Sequence, residues 1–181
     1  MTARTTMADL ITVVRTLVND PSGGSAVFSD DAVQAALDNC RTDVFQWPLS
    51  GQAEMTTGGV SVYKLHASGL PHWESGEVIQ GVNWATLTPT SADRIRGTWT
   101  FSAGQDPTIY ATGSVYDVYG AACVLLDQWM AKLKFTVYDF SADGGSYKRS
   151  QMLETLREMR SQYAKRSTTG VVTAQNYTGD L

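Results

Sequence analysis

Two histidines, His66 and His72, stand close together in a stretch that also holds Gly69 and Pro71, and Glu74 follows. Two imidazoles and a carboxylate at that spacing could reach one metal ion. A tetrahedral centre takes three or four ligands, however, and no other residue of ligand type stands at a fitting distance. The expectation is a pair of exposed loop histidines and no bound metal. The two cysteines, Cys40 and Cys123, fall in helix-like stretches and belong to no Cys-x-x-Cys pair. They read as buried, reduced thiols, since an unpaired cysteine in apolar company behaves as a small hydrophobe. Nucleophilic catalysis needs a serine or cysteine beside a base held by a third group, and no Gly-x-Ser-x-Gly elbow occurs. Asp30, Asp31, Asp106 and Asp143 sit at helix starts or in turns, where capping accounts for them. No catalytic residue and no cofactor are expected.

The nearest approach to a phosphate loop is Gly144–Ser150, where two glycines precede a helix start and Lys148 follows. It departs from the full G-x-x-x-x-G-K-[ST] pattern and lacks a preceding strand, so an ordinary turn with Ser146 as helix cap is expected. Trp73, Trp84, Trp99, Tyr63 and Tyr110 cluster between residues 51 and 113. They could form a carbohydrate platform, but aromatic residues at this density more often build the core of a small sheet or an interface.

Charge is distributed unevenly. The net charge is −4, yet residues 146–166 hold six bases (Lys148, Arg149, Arg157, Arg160, Lys165, Arg166) against Glu154 and Glu158. The remainder is correspondingly acidic, which argues against a chain that coats nucleic acid. A basic helix on an acidic body suits contacts between copies or an acidic partner. At the N-terminus Met1–Thr6 has no apolar signal core, and no stretch approaches the ~20 apolar residues of a membrane span.

The elements that must position these residues follow from hydrophobic spacing. Leu10, Val14 and Leu17 mark a helix over 7–18, stopped by the breakers between Asn19 and Gly24. Ser29 caps a second helix over 29–46, with Asp30 and Asp31 in its first turn and Val33, Ala36, Leu37, Cys40 and Val44 on its face. From 51 to 113 short alternating runs separated by Gly, Pro and Ser read as strands; in the clearest, Arg94–Phe101, Ile95, Trp99 and Phe101 share a side. Val115, Tyr119, Ala122, Leu126, Met130 and Leu133 then mark a helix over 114–134. Met152, Leu156, Met159 and Tyr163 mark another over 146–166. The expected fold is α+β. The helical hairpins 1–50 and 114–166 close on each other as a four-helix bundle, and 51–113 forms a small inserted antiparallel β-subdomain. Residues 167–181 are a polar tail in which Val171, Val172, Tyr177 and Leu181 are spaced as anchors between β-favouring threonines, as in a segment that gains order on a partner.

Three stretches carry a resemblance to a known family: Val115–Trp129, Tyr138–Gly144 and Tyr147–Gln151. A long Tyr/Asp/Ala-led helix, an Asp-Phe-Ser-x-Asp-Gly loop and an Arg-Ser-Gln helix start resemble the head–tail connector (adaptor, or head completion) proteins of tailed bacteriophages. The Leu10–Val18 helix and the Ser29-Asp30-Asp31 start fit as well. The likeness covers 1–50 and 114–166, whereas the β-rich stretch is longer than in the shortest members.

The resemblance implies a structural, non-enzymatic virion protein at the head–tail interface, assembled in the bacterial cytoplasm. It would form a homo-oligomeric ring, twelve-fold in such adaptors, below the portal protein. Its other side would receive the next connector, stopper or tail protein. DNA would pass through the lumen without sequence-specific binding, as an acidic wall repels phosphates. No membrane is involved. Within the loop, Phe140 is expected to pack beneath residues 138–146, with Ser141 or Asp143 capping the last helix and Gly144 giving the bend. Arg157, Arg160, Lys165 and Arg166, with tail residues Val171, Val172, Tyr177 and Leu181, are expected to bind the portal or a neighbouring subunit. A stopper, a tail terminator or a minor tail protein is the alternative within the virion, and a small enzyme the alternative outside it.

Overall fold

The computed structural model describes residues 3–134, 140–142, 145–147 and 149–167. Packing divides them into two units. One comprises the described residues up to Cys40 together with those from Asp117 onward; the other is Arg41–Tyr116.

In the helical unit, α1 (Ala8–Val18) buries Leu10, Ile11, Val14 and Val18 and ends at Asn19, whose φ of 55° is left-handed. Asparagine tolerates that conformation better than most residues. Arg15 lies on the buried side of α1 with 7% of its surface exposed. Its guanidinium donates to the Asp20 carboxylate at 3.0 Å, to Phe28 O at 2.8 Å and to Asp30 Oδ1 at 2.7 Å. Asp20 also accepts from the amides of Val27 and Phe28, at 2.7 and 3.1 Å. The link between the helices is thus wrapped around a buried, fully hydrogen-bonded ion pair. Ser29 caps α2 (Asp30–Asp38), its hydroxyl accepting from Ala32 N at 3.2 Å.

The sheet unit holds seven antiparallel strands: β1 (Arg41–Met55), β2 (Ser61–Ala67), β3 (Val78–Gln80), β4 (Thr86–Leu87), β5 (Ser91–Asp93), β6 (Thr98–Gln105) and β7 (Thr108–Tyr116), in the order β4-β3-β7-β1-β2-β6-β5. β1 changes partner along its length. It pairs with β7 from Arg41 to Ser50 and with β2 from Ser50 to Met55. β6 runs into β7 through Asp106–Pro107 and makes the matching change, since β6 pairs with β2 and β7 with β1. The two changes coincide at a corner where Gly51 N donates to Pro107 O at 2.7 Å. A Cβ on Gly51 would stand 2.9 Å from that oxygen and 3.0 Å from His66 Nε2, so only glycine fits. Pro48 lies where β1 is paired with β7 but not yet with β2, so its missing N–H interrupts no ladder on the open side.

This half-barrel encloses Val44, Leu49, Trp73, Ile79, Trp99, Phe101, Ile109, Ala111 and Val115. Trp73 and Trp99 meet edge to face, with ring centroids 5.3 Å apart. Their polar edges are answered: Trp73 Nε1 donates to Leu70 O at 2.8 Å, and Trp99 Nε1 to Glu77 Oε1 at 2.7 Å. Glu77 also accepts from Arg94 Nε at 2.8 Å, so this buried carboxylate is paired as well as hydrogen-bonded.

After β7 the chain re-enters the helical unit. Asp117 caps α3 (Val118–Lys134), its Oδ1 accepting from Tyr119 N at 3.0 Å and Gly120 N at 2.9 Å. α3 packs against α1, α2 and, beyond the short hairpin β8 (Phe140–Ala142) and β9 (Gly145–Tyr147), α4 (Arg149–Ala164). Leu156 is buried on α4, and the Tyr163 hydroxyl donates to Leu17 O at 2.8 Å.

The expectation of a four-helix bundle carrying a small β-insertion is overturned. Strands take about 32% of the chain, and the seven-stranded half-barrel is a unit in its own right. Two misread boundaries caused this. The second helix stops at Asp38, and residues 41–46, expected as its last turns, are the start of β1. The apolar positions of that stretch satisfy both periods, and its Thr42, Val44, Phe45 and Trp47 are β-formers that find a partner strand in β7. Ser114–Tyr116, expected as the first turn of the third helix, are the end of β7. Strands were also not expected between 115 and 165, where the β8–β9 hairpin lies; Ser146 is in β9, not at a helix cap, and α4 begins at Arg149.

Two substitutions test these supports. Arg15→Ala leaves Asp20 buried beside an empty site and is expected to cost ~3–5 kcal/mol in denaturant unfolding. Gly51→Ala is expected to lower the melting temperature of the protein markedly, because the added methyl meets backbone at the corner; an unchanged melt would show that the corner can open to admit it.

Candidate functional site

The residues with chemical potential are scattered by the fold. His66 is in β2 with no exposed surface, its Nε2 2.9 Å from Asp106 O and its ring edge-on to Phe101 at 5.6 Å. It is therefore a core residue of the corner, and the expectation of two exposed loop histidines fails for it. His72 is half-buried at a φ of 62°, in the segment that runs beside the end of β7, where its carbonyl accepts from Tyr116 N at 3.0 Å. Among the described residues no three His, Cys, Asp or Glu side chains gather as a metal site.

Cys40 and Cys123 are half-buried, not buried, and unbridged. Burial raises the Cys40 thiol above its ordinary range, and the Asp117 charge and the neighbouring Cys123 add to this. Burial likewise raises Cys123, with Arg160 opposing. Both thiols are thereby held in their less reactive, protonated form.

The expected aromatic cluster divides. Trp73 and Trp99 are core. Trp84 is 51% exposed and meets Tyr110 with ring centroids 5.4 Å apart.

Arg157 on α4 and Lys165 just beyond its end are exposed and make no ion pair among the described residues, whereas Arg160 reaches Asp127 of α3 at 3.3 Å. Arg166 lies over the Tyr119 ring, 5.8 Å from its centroid. Two of the four basic residues expected to bind a partner, Arg160 and Arg166, are thus engaged within their own unit. Asp143, Gly144, Val171, Val172, Tyr177 and Leu181 lie outside the described residues. Phe140 and Ser141 are described only as backbone of β8.

A surface not evident in the sequence is the sheet face opposite the core. Directly paired strand residues share a face. Near the ends of β1 and β7 this face is polar. Ser114 Oγ donates to Asp43 Oδ1 at 2.7 Å, Arg41 Nε donates to the same oxygen at 2.7 Å, and the Tyr116 hydroxyl donates to Glu74 at 2.5 Å. The Ser114 hydrogen bond, and after it Arg41, hold the Asp43 carboxyl below the usual carboxylate range. A carboxylate stabilised in this way is a weaker base than a free one.

Further along, the face becomes apolar. The β1–β7 register slips between Val44 and Trp47, so Phe45 and Gln46 together stand opposite Thr112. Gln46 takes a φ of 50°, and its amide donates to Thr112 Oγ1 at 3.0 Å in place of a backbone carbonyl. Such a bulge re-aims a side chain, and Phe45 is left 77% exposed. Val78 pairs with Thr112 from the other side, and Tyr110 lies between Gln80 and Pro48. Trp84 sits in the β3–β4 turn at a φ of 62°, a rare conformation for so bulky a residue, held by Trp84 N to Gly81 O at 3.0 Å and by its contact with Tyr110. Exposed, strained and bulged aromatics on one face are features of a recognition surface. The sequence hides this surface, because its key residue, Phe45, falls in the span 29–46 where hydrophobic spacing implies a helix.

Comparison with protein-family models, with curated proteins and with solved structures finds no match to this chain.

The Asp43 geometry fixes a pH dependence. Its folded pKa is lowered, so its contribution to stability is present above the ordinary value of 3.8 and is lost as pH falls through the lower folded value. Stability measured from neutral pH into acid should show the native protein above Asp43→Asn at the neutral end, with the two curves converging in strong acid. A gap of constant size across that range would contradict the assignment.

Proposed function

We propose that this chain is a non-enzymatic structural subunit of a tailed bacteriophage, an adaptor that joins head to tail as a ring of identical copies beneath the portal protein. The observation that carries the reading is the residue pattern Val115–Trp129, Tyr138–Gly144 and Tyr147–Gln151, which resembles that of head–tail connectors. The basic surface at α4 and just past its end supports it, since Arg157 and Lys165 are exposed on a chain of net negative charge and are available to an acidic neighbouring copy or portal surface. In this reading the lumen extends the DNA channel, and the far side of the ring is the platform for the next connector or tail protein.

One observation favours a second reading. Stoppers and tail terminators are usually β-dominated, and the seven-stranded half-barrel is the larger sheet component such a protein would need. Both are virion components of the same interface and differ in position along the connector.

Electron microscopy of virions with the protein labelled decides between them. An adaptor forms a ring in direct contact with the portal, whereas a stopper or terminator lies one or more layers below; absence from the head–tail interface would refute both. The double variant Arg157→Glu, Lys165→Glu is expected to remain folded, as both side chains are exposed, but to join portal-bearing heads less well than the native chain. Treatment with a chelator is expected to leave the melting temperature unchanged.

A further inference from the structure

The apolar face of the sheet unit is uncovered in the described structure. Phe45, Val78 and Trp84 are 77%, 44% and 51% exposed, and Val82, in the same β3–β4 turn as Trp84, is 53% exposed. Between and beside them stand Pro48, Gln80, Tyr110 and Thr112. None of these residues is charged, although the chain as a whole carries 32 charged side chains. A face of this kind fits an occupant that is apolar to weakly polar, extended and nearly uncharged.

The chain itself supplies such a segment. Fourteen residues, 168–181, follow the last described position, and they include Val171, Val172, Tyr177 and Leu181, four threonines and a single charged side chain, Asp180. Their starting point is fixed. Ser167 Oγ donates to Asp117 Oδ2 at 2.6 Å, and Asp117 directly follows Tyr116, the last residue of β7. From there Thr112 and Tyr110 are five and seven residues back along the strand, a rise of about 17–24 Å. A fully extended segment of that length reaches about 46 Å. The tail therefore begins at one end of the strand that bears the apolar face, with reach to cover it and some length to spare. Attachment to the same chain raises the local concentration of the tail at this face far above that of a free peptide.

We propose that residues 168–181 bind the outer face of the same chain's sheet, placing Val171, Val172, Tyr177 and Leu181 against Phe45, Val78, Trp84 and Tyr110. This goes beyond the adaptor reading and does not depend on it, because the occupant and the face belong to one chain and the contact forms in an isolated subunit.

Nuclear magnetic resonance of the full chain and of a chain ending at Ser167 tests it. Removing the tail is expected to shift the Trp84 indole N–H and the amides of Phe45, Val78 and Thr112, and to leave the indole signals of core residues Trp73 and Trp99 in place. These differences are expected to be the same in dilute and concentrated samples. If the shortened chain does not fold, the full-length variant Val171→Ser, Val172→Ser, Tyr177→Ser is compared instead and should give the same pattern. No shift at the face on either change overturns the proposal. A shift that fades on dilution also overturns it, since it would mean that the tail binds a second copy. The adaptor reading is judged separately, by the position of the protein in the virion.

Discussion

Asp117 closes the chain on itself. Its N–H donates to Cys40 O at 3.0 Å, its Oδ1 caps α3, and its Oδ2 accepts from Ser167 at the far end of α4. The residues after Cys40 and before Asp117 are the first of β1 and the last of β7, and they pair directly as Arg41 with Tyr116. The chain leaves one unit and returns to it through two strands whose ends are held together. Antiparallel pairing of β1 with β7 is the consequence, and the rest of the sheet is what the intervening residues build on that pair.

What they build is a curled sheet whose core sets two indoles, Trp73 and Trp99, among aliphatic side chains and Phe101. Trp73 and Trp99 are among the largest fully buried side chains, and each brings an N–H that an apolar interior would penalise. Leu70 O and the Glu77 carboxylate answer them. Ser68 joins this network, since its hydroxyl donates to Leu70 O at 2.6 Å and its carbonyl accepts from Trp47 Nε1 at 2.8 Å. Gly97, at a φ of 68°, passes so close that a Cβ would stand 2.0 Å from Leu70 O. The core is thus as much a satisfied polar network as an apolar cluster, and its geometry leaves little room for a different side chain at Gly97.

The elements legible in the sequence are those whose signals are local. The apolar stripe of α1 and the Ser29 cap with its two aspartates each lie within one or two turns, and both stand where the spacing places them. Trp99 and Phe101 face the core together, but the strand expected from Arg94 begins only at Thr98, because residues 94–97 are the turn between β5 and β6, and Ile95 is not part of the core. The signals that failed are those that depend on a distant partner. Val44 fits a helical face and a strand equally well, and only β7, some seventy residues later, selects the strand. Arg15 carries no signal of its own in the sequence; its burial depends on the 19–29 link, which delivers Asp20 and Phe28 O to it. His66 reads as a loop residue until Asp106 O arrives beside it. The basic side chains of α4 were legible because charge is additive along a sequence, but the outer sheet face was not. Its exposure of Phe45 depends on a bulge in which a glutamine, and not a glycine, takes the left-handed conformation.

The corner at Gly51 and Pro107 has a consequence for how the sheet opens. A half-barrel made of two separate hairpin layers could lose one layer and keep the other. Here β1 and the continuous run of β6 into β7 each contribute hydrogen bonds to both sides of the bend. Releasing either side strips part of the ladder from strands that the other side still needs. Backbone amides on both sides of the bend, from Val44 near one end to Leu65 near the other, are therefore expected to exchange with solvent in a shared opening event and not in two independent ones.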